Sequence, residues 1–570
     1  MRLEEKSKQL KNLVSNYETK WFLGDLSWLI QSGRERAPDQ LGNLSSPLRQ
    51  LYYLAGLNIS TKKEKGTDYT YNPEKWEEIV RLLTEIEIEY EKLLFHFEDD
   101  EDLDKWKKIR EVAVPSFLSY FNQGHLNYEE QVINWIINLY TPFNKYFIET
   151  FNLTIDDFIT FYNNLDKLVQ NNFQGFTTNN KLLRDNWEEY TSINSGIDSS
   201  VPTFFKESIP ENFEIISKFM LDKGMSNRFY PRELISDNLS LNKINTILSL
   251  ISTTRKERDF LYYTETNPGN PLYQYPIINL ENEMFQVFEM KQVIHAISEL
   301  LEKKVIERSN LKEKYIKNKG ELLEKNIIKL FKKFFGEEIK IFTSYYVNGK
   351  EQDILILWKD YAFIIEAKNY KLNEPFRDPE KAFLRIKRDF KKSIQNAYNQ
   401  TSRIEQIIIN QEPLIIRNKN NEIIETIDTK KIKQDFSIIV NLNSFGLIQN
   451  DLSYLLELNN EDDVYPWVVS YDDLEIFILT LIAKNKSPKY LIDFLLFREE
   501  LHGKLICSDE LEICGGYLSK QFNIKKIKYQ EKVITHPSFG NIFDEQYFKG
   551  MGFENEKYLD EKRSGKYIFI

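Results

Sequence analysis

The stretch from Gln352 to Lys368 constrains this chain more than any other. It reads Gln-Asp-Ile-Leu-Ile-Leu-Trp-Lys-Asp-Tyr-Ala-Phe-Ile-Ile-Glu-Ala-Lys. Ile354 to Trp358 is one apolar, β-rich run, Ala362 to Ile365 is a second, and Lys359-Asp360 is the polar break between them. That is the pattern of a β-hairpin. A turn at Lys359-Asp360 sets the register: Trp358 faces Tyr361, Leu357 faces Ala362, and so on outward until Asp353 faces Glu366. Directly opposed residues have Cβ atoms about 4.5–5.5 Å apart, and like charges at that spacing repel unless something positive lies between them. Alternation puts Lys368 on the face of Glu366. One end of a hydrophobic hairpin therefore carries two carboxylates and an ammonium, and a hard divalent cation would also reconcile the carboxylates. The competing explanation is a solvated, frayed strand end. If repulsion dominates, removing Asp353 should leave the metal-free protein as stable as before, or more so.

The flanks extend this pattern. Gly320 to Phe335 reads as a helix ended by Gly336, a natural C-cap. On it Glu324 heads the row Glu324, Ile328, Phe331, Phe335. Ile339 to Val347 is an expected strand, and Asn348-Gly349 is the strongest two-residue hairpin signal. Phe376 to Ile409 is expected to be largely helical, with Lys381, Arg385, Lys387, Arg388, Lys391 and Lys392 crowding its first half. Phe436 to Leu442 is a fourth strand, Val464 to Tyr471 a fifth, and Asp472 the cap of a following helix.

Asp353, twelve residues, then Glu366-Ala367-Lys368 resembles the signature of the PD-(D/E)XK nuclease superfamily, with Gln352 where that name has proline. The resemblance covers roughly residues 310–445 and is nearest to the Mrr-like and NERD-like bacterial branches. It implies a restriction-endonuclease-like α/β domain with an α-β-β-β-α-β core and a mixed sheet. It also implies Mg²⁺, with Mn²⁺ as substitute, held by Asp353, Glu366 and the backbone carbonyl of Ala367. Gly320-x-x-x-Glu324 resembles the family's acidic helix, so Glu324 is implied to bind or orient a metal. Lys368 is implied to orient the attacking water, and Gln395, on the following helix, to position water or phosphate. Tyr465 to Leu474 resembles the tails of NERD-like proteins.

Charge distribution points the same way. The chain carries −11 overall, but residues 301–420 hold 26 Lys and Arg against 17 Asp and Glu, a net of +9, leaving −20 on the other 450 residues. Positive charge gathered around the hairpin suits phosphate binding, and the six basic side chains at 381–392 are its candidate rail. A solvated helix face is the alternative.

A length of 570 residues suits several domains. The expected organisation is a mainly α-helical region at 1–300 for recognition or partner binding, a nuclease domain at 301–445, and a mixed α/β C-terminal extension at 446–570. Glu98 to Asp102 reads as a solvated acidic loop. Two cysteines and a charged N-terminus fit a reducing, cytoplasmic setting. The longest apolar run, Leu474 to Ala483, is too short to cross a bilayer. No P-loop pattern occurs, so a motor would be a separate partner. His502, Cys507, Cys514 and His536 fit no standard zinc spacing.

The reading is a metal-dependent nuclease acting on DNA, implied by analogy to serve bacterial defence against foreign DNA. Its partners are nucleic acid and either a separate protein or a second copy. The alternatives are a non-catalytic nucleic-acid-binding scaffold that kept the fold and an RNase of the same fold.

Overall fold

A computed structural model describes residues 2–62, 71–96, 102–122, 126–185, 222–263, 268–370 and 378–556. Most of the acidic run 98–102 lies outside the described residues. The chain gathers into two compact units, one built from 1–91 and 132–307, the other from 92–131 and 308–559. The sequence suggests three domains, with boundaries near 300 and 445. Here a segment of the N-terminal half and the C-terminal extension both join the unit that contains the hairpin.

The first unit is mainly helical. Its longer helices include Thr19–Arg36, Pro47–Ile59, Ile155–Asp185 and Met290–Ile306. A small four-stranded sheet, made of Arg228–Phe229, Phe285–Val287, Ile277–Asn279 and Ser252–Thr253 in that spatial order, completes it. Phe285 to Val287, which apolar spacing assigns to a helix, pairs instead with Ile277–Asn279.

The second unit is a seven-stranded sheet with helices on its faces. Its elements include α1 (Leu103–Asn122), α2 (Ser309–Phe335), β1 (Ile339–Val347), β2 (Lys350–Trp358), β3 (Tyr361–Lys368), α3 (Pro379–Phe390), α4 (Asn396–Ile409), β4 (Leu414–Arg417), β5 (Ile423–Ile427), β6 (Gln434–Asn441), β7 (Trp467–Ser470) and α5 (Tyr471–Ala483). A π-helical turn, Lys391–Gln395, links α3 to α4. The sheet order is β7-β6-β3-β2-β1-β4-β5. β1, β2 and β3 form an antiparallel meander, while β6 pairs parallel with both β3 and β7, so the sheet is mixed.

Local chemistry sets the meander. Asn348 (φ 51°) and Gly349 (φ 73°) both take the left-handed conformation that a two-residue turn between right-twisted strands demands. Lys359 (φ 55°) opens the second turn, and the ladder runs from Trp358↔Tyr361 to Ile354↔Ile365 in the register that turn implies. On one face, Leu355, Ala362 and Ile364 pack with Phe342 and Tyr345 beneath Ile404 and Ile408 of α4. Elsewhere on the sheet, Phe331 and Phe335 of α2 meet Phe363, and Phe335 meets Trp358 at 5.5 Å between ring centres. Each fully buried Ile or Phe contributes about 1.5–3 kcal/mol, enough to hold a charged cluster at the end of the hairpin.

Several local expectations shift. α2 begins at Ser309 and runs straight through Gly320 to its cap at Gly336 (φ 81°). Its buried stripe is Leu323, Ile327, Leu330, Phe331, Phe334 and Phe335, so Glu324 and Ile328 lie on the flank. Ser470, not Asp472, caps α5: its hydroxyl accepts from the Asp473 N–H at 3.1 Å, because the helix starts two residues earlier than Asp472 requires. The hairpin β4–β5 is not among the expected elements; it joins the sheet through the single pair Tyr346↔Arg417. β7 adds to the same sheet at Ile438↔Trp467, which is why residues beyond 445 do not form a separate body. In the same way α1 packs Val112 and Ala113 into the core of Ala382, Ile386 and Phe390 on α3, drawing 92–131 into this unit.

Candidate active site

The site lies where the β2–β3 ladder stops. Beyond Ile354↔Ile365 the strands part, and side chains take over from backbone pairing. The Asp353 N–H donates to Glu366 Oε1 at 3.3 Å, and the Ala367 N–H donates to Asp353 Oδ2 at 2.8 Å. Ser344, on the neighbouring strand, has φ 45°, and the β1–β2 ladder skips Ser344 and Asp353 together. A strained residue opposite Asp353 lets both strands turn there.

Lys368 offsets part of the repulsion between the carboxylates. Its Nζ lies 2.6 Å from Glu366 Oε2 and 3.3 Å from Asp353 Oδ2. The Glu366 side chain is 1% exposed, and those of Asp353 and Lys368 about one fifth. Burial, and then the charge of Asp353, pushes the Glu366 carboxyl up to about 8. Burial alone would lower the Lys368 pKa; the two carboxylates outweigh it and hold it above the ordinary value. Glu324 joins this field from α2. Burial, then Asp353 and Glu351, raise it to about 7, and Lys368 opposes them. The sequence reading thus brings together Asp353, Glu366, Ala367 and Lys368, with Glu324 at their edge. Among the described residues no three Asp, Glu, His or Cys side chains form a ready-made metal cage. Mg²⁺ commonly takes one or two carboxylates with water filling the rest, and the donor set of Asp353 and Glu366 fits that demand.

The Gln395 amide is engaged by the chain itself. It donates to the Glu457 carbonyl and accepts from the Glu457 N–H, both at 2.9 Å, and it also reaches Asn399 at 3.3 Å. Both ends of the amide expected to position water or phosphate bond Glu457 here. The π-helical turn buries Gln395, and a side chain bonded on both edges to one loop residue acts as a splint for that loop. Sequence spacing could not reveal this, because residue 457 is remote in the chain.

Five of the six basic residues, Lys381, Lys387, Arg388, Lys391 and Lys392, are exposed and Arg385 is half-buried, while α3 buries Ala382, Ile386 and Phe390 on its other side. Lys387 lies 3.8 Å from Glu457, and Arg388 lies 3.6 Å from the buried Asp389. Asp389 accepts from the Tyr370 hydroxyl at 2.9 Å, two residues past Lys368, which ties the middle of the basic helix to the end of the site strand. Sequence reasoning missed Asp389 and Tyr345; neither lies in a motif. Tyr345 is 1% exposed.

Residues 319–431 match the family model described as NERD, nuclease-related domain. The matched segment holds the candidate site and the basic helix, and agrees with the likeness to PD-(D/E)XK nucleases. No curated protein and no solved structure was found to match the chain. No helix among the described residues is long and apolar enough to cross a membrane.

Proposed function

We propose that this chain, with its nuclease-related domain, is a metal-dependent nuclease of the restriction-endonuclease-like fold that hydrolyses phosphodiester bonds in DNA. The observation that carries the reading is the buried convergence of Asp353, Glu366 and Lys368 at a break in the sheet. Burying three charges is costly, and a triad whose only task was stability would be matched or bettered by apolar residues of similar volume.

Asp353, Glu366 and the carbonyl of Ala367 would hold Mg²⁺ or Mn²⁺, with Glu324 acting through water. Such an ion lowers the pKa of its bound water and offsets charge on the phosphoryl oxygens. The chain's own part is positional. Lys368 directs an N–H at the reacting oxygens, where charge develops only in the transition state. Glu324, held near neutrality, can accept or release a proton at physiological pH. The exposed basic residues of α3 and the π-helical turn would track the phosphate backbone. A role in defence against foreign DNA, with the helical unit as sensor, extends this reading by analogy.

The deciding experiment incubates the purified chain with plasmid, linear DNA and RNA, each with Mg²⁺, Mn²⁺ or EDTA. DNA cleavage that EDTA abolishes is the expected result. Binding without cleavage under every condition identifies the scaffold alternative, and cleavage of RNA alone identifies an RNase.

A second prediction concerns affinity. Replacing Lys387, Arg388 and Lys391 together by Glu should weaken DNA binding and flatten its salt dependence, by a slope of about 0.9 for each phosphate that is no longer neutralised. Binding curves at several salt concentrations test it; an unchanged slope makes this helix a solvated face only.

A further inference from the structure

Among the described residues, the Tyr345 hydroxyl is a buried polar group near the carboxylates without a partner. Tyr345 is 1% exposed. A buried, unpaired hydroxyl is destabilising. Phenylalanine at this position would avoid that cost and fill the same space. The location gives the hydroxyl a reason.

Tyr345 follows the strained Ser344, just past the point where the β1–β2 ladder breaks, and its ladder partner is Gln352, the neighbour of Asp353. The break also overrides alternation: Phe342, Tyr345 and Val347 all enter one cluster with Leu355, Ala362 and Ile364. Ile364 is two residues before Glu366 on β3, so Glu366 points to the same face. The Tyr345 ring is therefore brought to the buried side of the carboxylate pair. The charges of Glu366 and Asp353 act on the phenol, and with burial, the larger cause, they keep it protonated far above its ordinary range. A phenol held as O–H is a hydrogen-bond donor. The Oε1 of Gln352 is a second buried acceptor without a partner.

We propose that Tyr345 is a positioning residue of the metal site, whose hydroxyl donates to a Glu366 or Asp353 carboxylate, directly or through one water, once a divalent cation draws those carboxylates away from Lys368. The inference rests on the nuclease reading above and adds to it an outer hydrogen bond that is made only in the loaded state. Outer partners of this kind orient ligands and tune the bound ion.

The test compares the full chain with Tyr345→Phe, which keeps the ring and removes only the hydroxyl. Three quantities are measured: the melting temperature with EDTA, the Mn²⁺ affinity by titration calorimetry, and the plasmid cleavage rate. With EDTA the melting temperature should be unchanged or higher, because no bond is lost. Mn²⁺ affinity should fall about 10-fold or more, and cleavage should fall with it. A lower melting temperature with EDTA would show that the hydroxyl has a structural partner and overturns the inference. Unchanged Mn²⁺ affinity in the variant, with a wild type that binds and cleaves, overturns the Tyr345 role and leaves the nuclease reading standing. A wild type that neither binds Mn²⁺ nor cleaves removes both.

Discussion

Lys368→Ala should lower the rate of DNA cleavage by at least about 100-fold while leaving DNA affinity nearly as it was. The ammonium stands 2.6 and 3.3 Å from the two carboxylates, at the place where charge would build on a phosphate held against them. Such an interaction is realised mainly in the transition state, so its loss appears in the chemical step and not in binding. The same substitution should also cost stability. Lys368 is the counter-charge of a nearly buried Glu366, and removing one partner of a buried pair costs about 3–5 kcal/mol, less here because Lys368 keeps some contact with solvent. A divalent cation can take over the lost positive charge, so Mg²⁺ or Mn²⁺ should raise the melting temperature of the variant more than that of the wild type. Lys368→Met, which keeps the apolar stem, controls for packing. Cleavage by the variant at the wild-type rate would falsify the placement of the active site here.

The second large effect is at Asp353, and the structure reverses one expectation for it. On sequence grounds, removal of Asp353 relieves a like-charge repulsion and leaves the metal-free protein level or more stable. In the fold Lys368 already lies between the carboxylates, and Asp353 Oδ2 also accepts the Ala367 N–H at 2.8 Å. Asp353→Ala deprives a partly buried backbone donor of its partner, a cost of roughly 1–3 kcal/mol, and takes one of its two carboxylates from Lys368. The metal-free melting temperature should therefore drop. Asp353→Asn keeps an oxygen for the Ala367 N–H and should melt close to the wild type. Both variants should lose Mn²⁺ affinity and cleavage, because each lacks a ligand charge. Calorimetric Mn²⁺ titration and melting curves of both variants separate the two roles. If Asp353→Asn binds Mn²⁺ as the wild type does, Asp353 serves the strand end and not a metal.

The sequence by itself determined what is local. Two apolar runs with a polar break fix the β2–β3 register, because a slip of one residue would turn every side chain to the opposite face. From that register follows the meeting of Asp353, Glu366 and Lys368. Asn348-Gly349 fixes the neighbouring hairpin for the same kind of reason, the left-handed conformations its turn needs. The tertiary structure decided whatever depends on packing between distant parts of the chain. Gln395 has the sequence position of a site residue, yet its amide is bound on both edges by Glu457, sixty-two positions away. Tyr345 belongs to no motif, yet the ladder break at Ser344 and Asp353 turns it toward the carboxylates. The helix Leu103–Asn122 carries no sign of kinship with the nuclease-related domain, but its apolar side completes the core beneath the basic helix. Backbone geometry and hydrophobic period are properties of neighbouring residues and can be read in order. Which buried polar group finds a partner, and which is left without one, depends on how distant elements pack together.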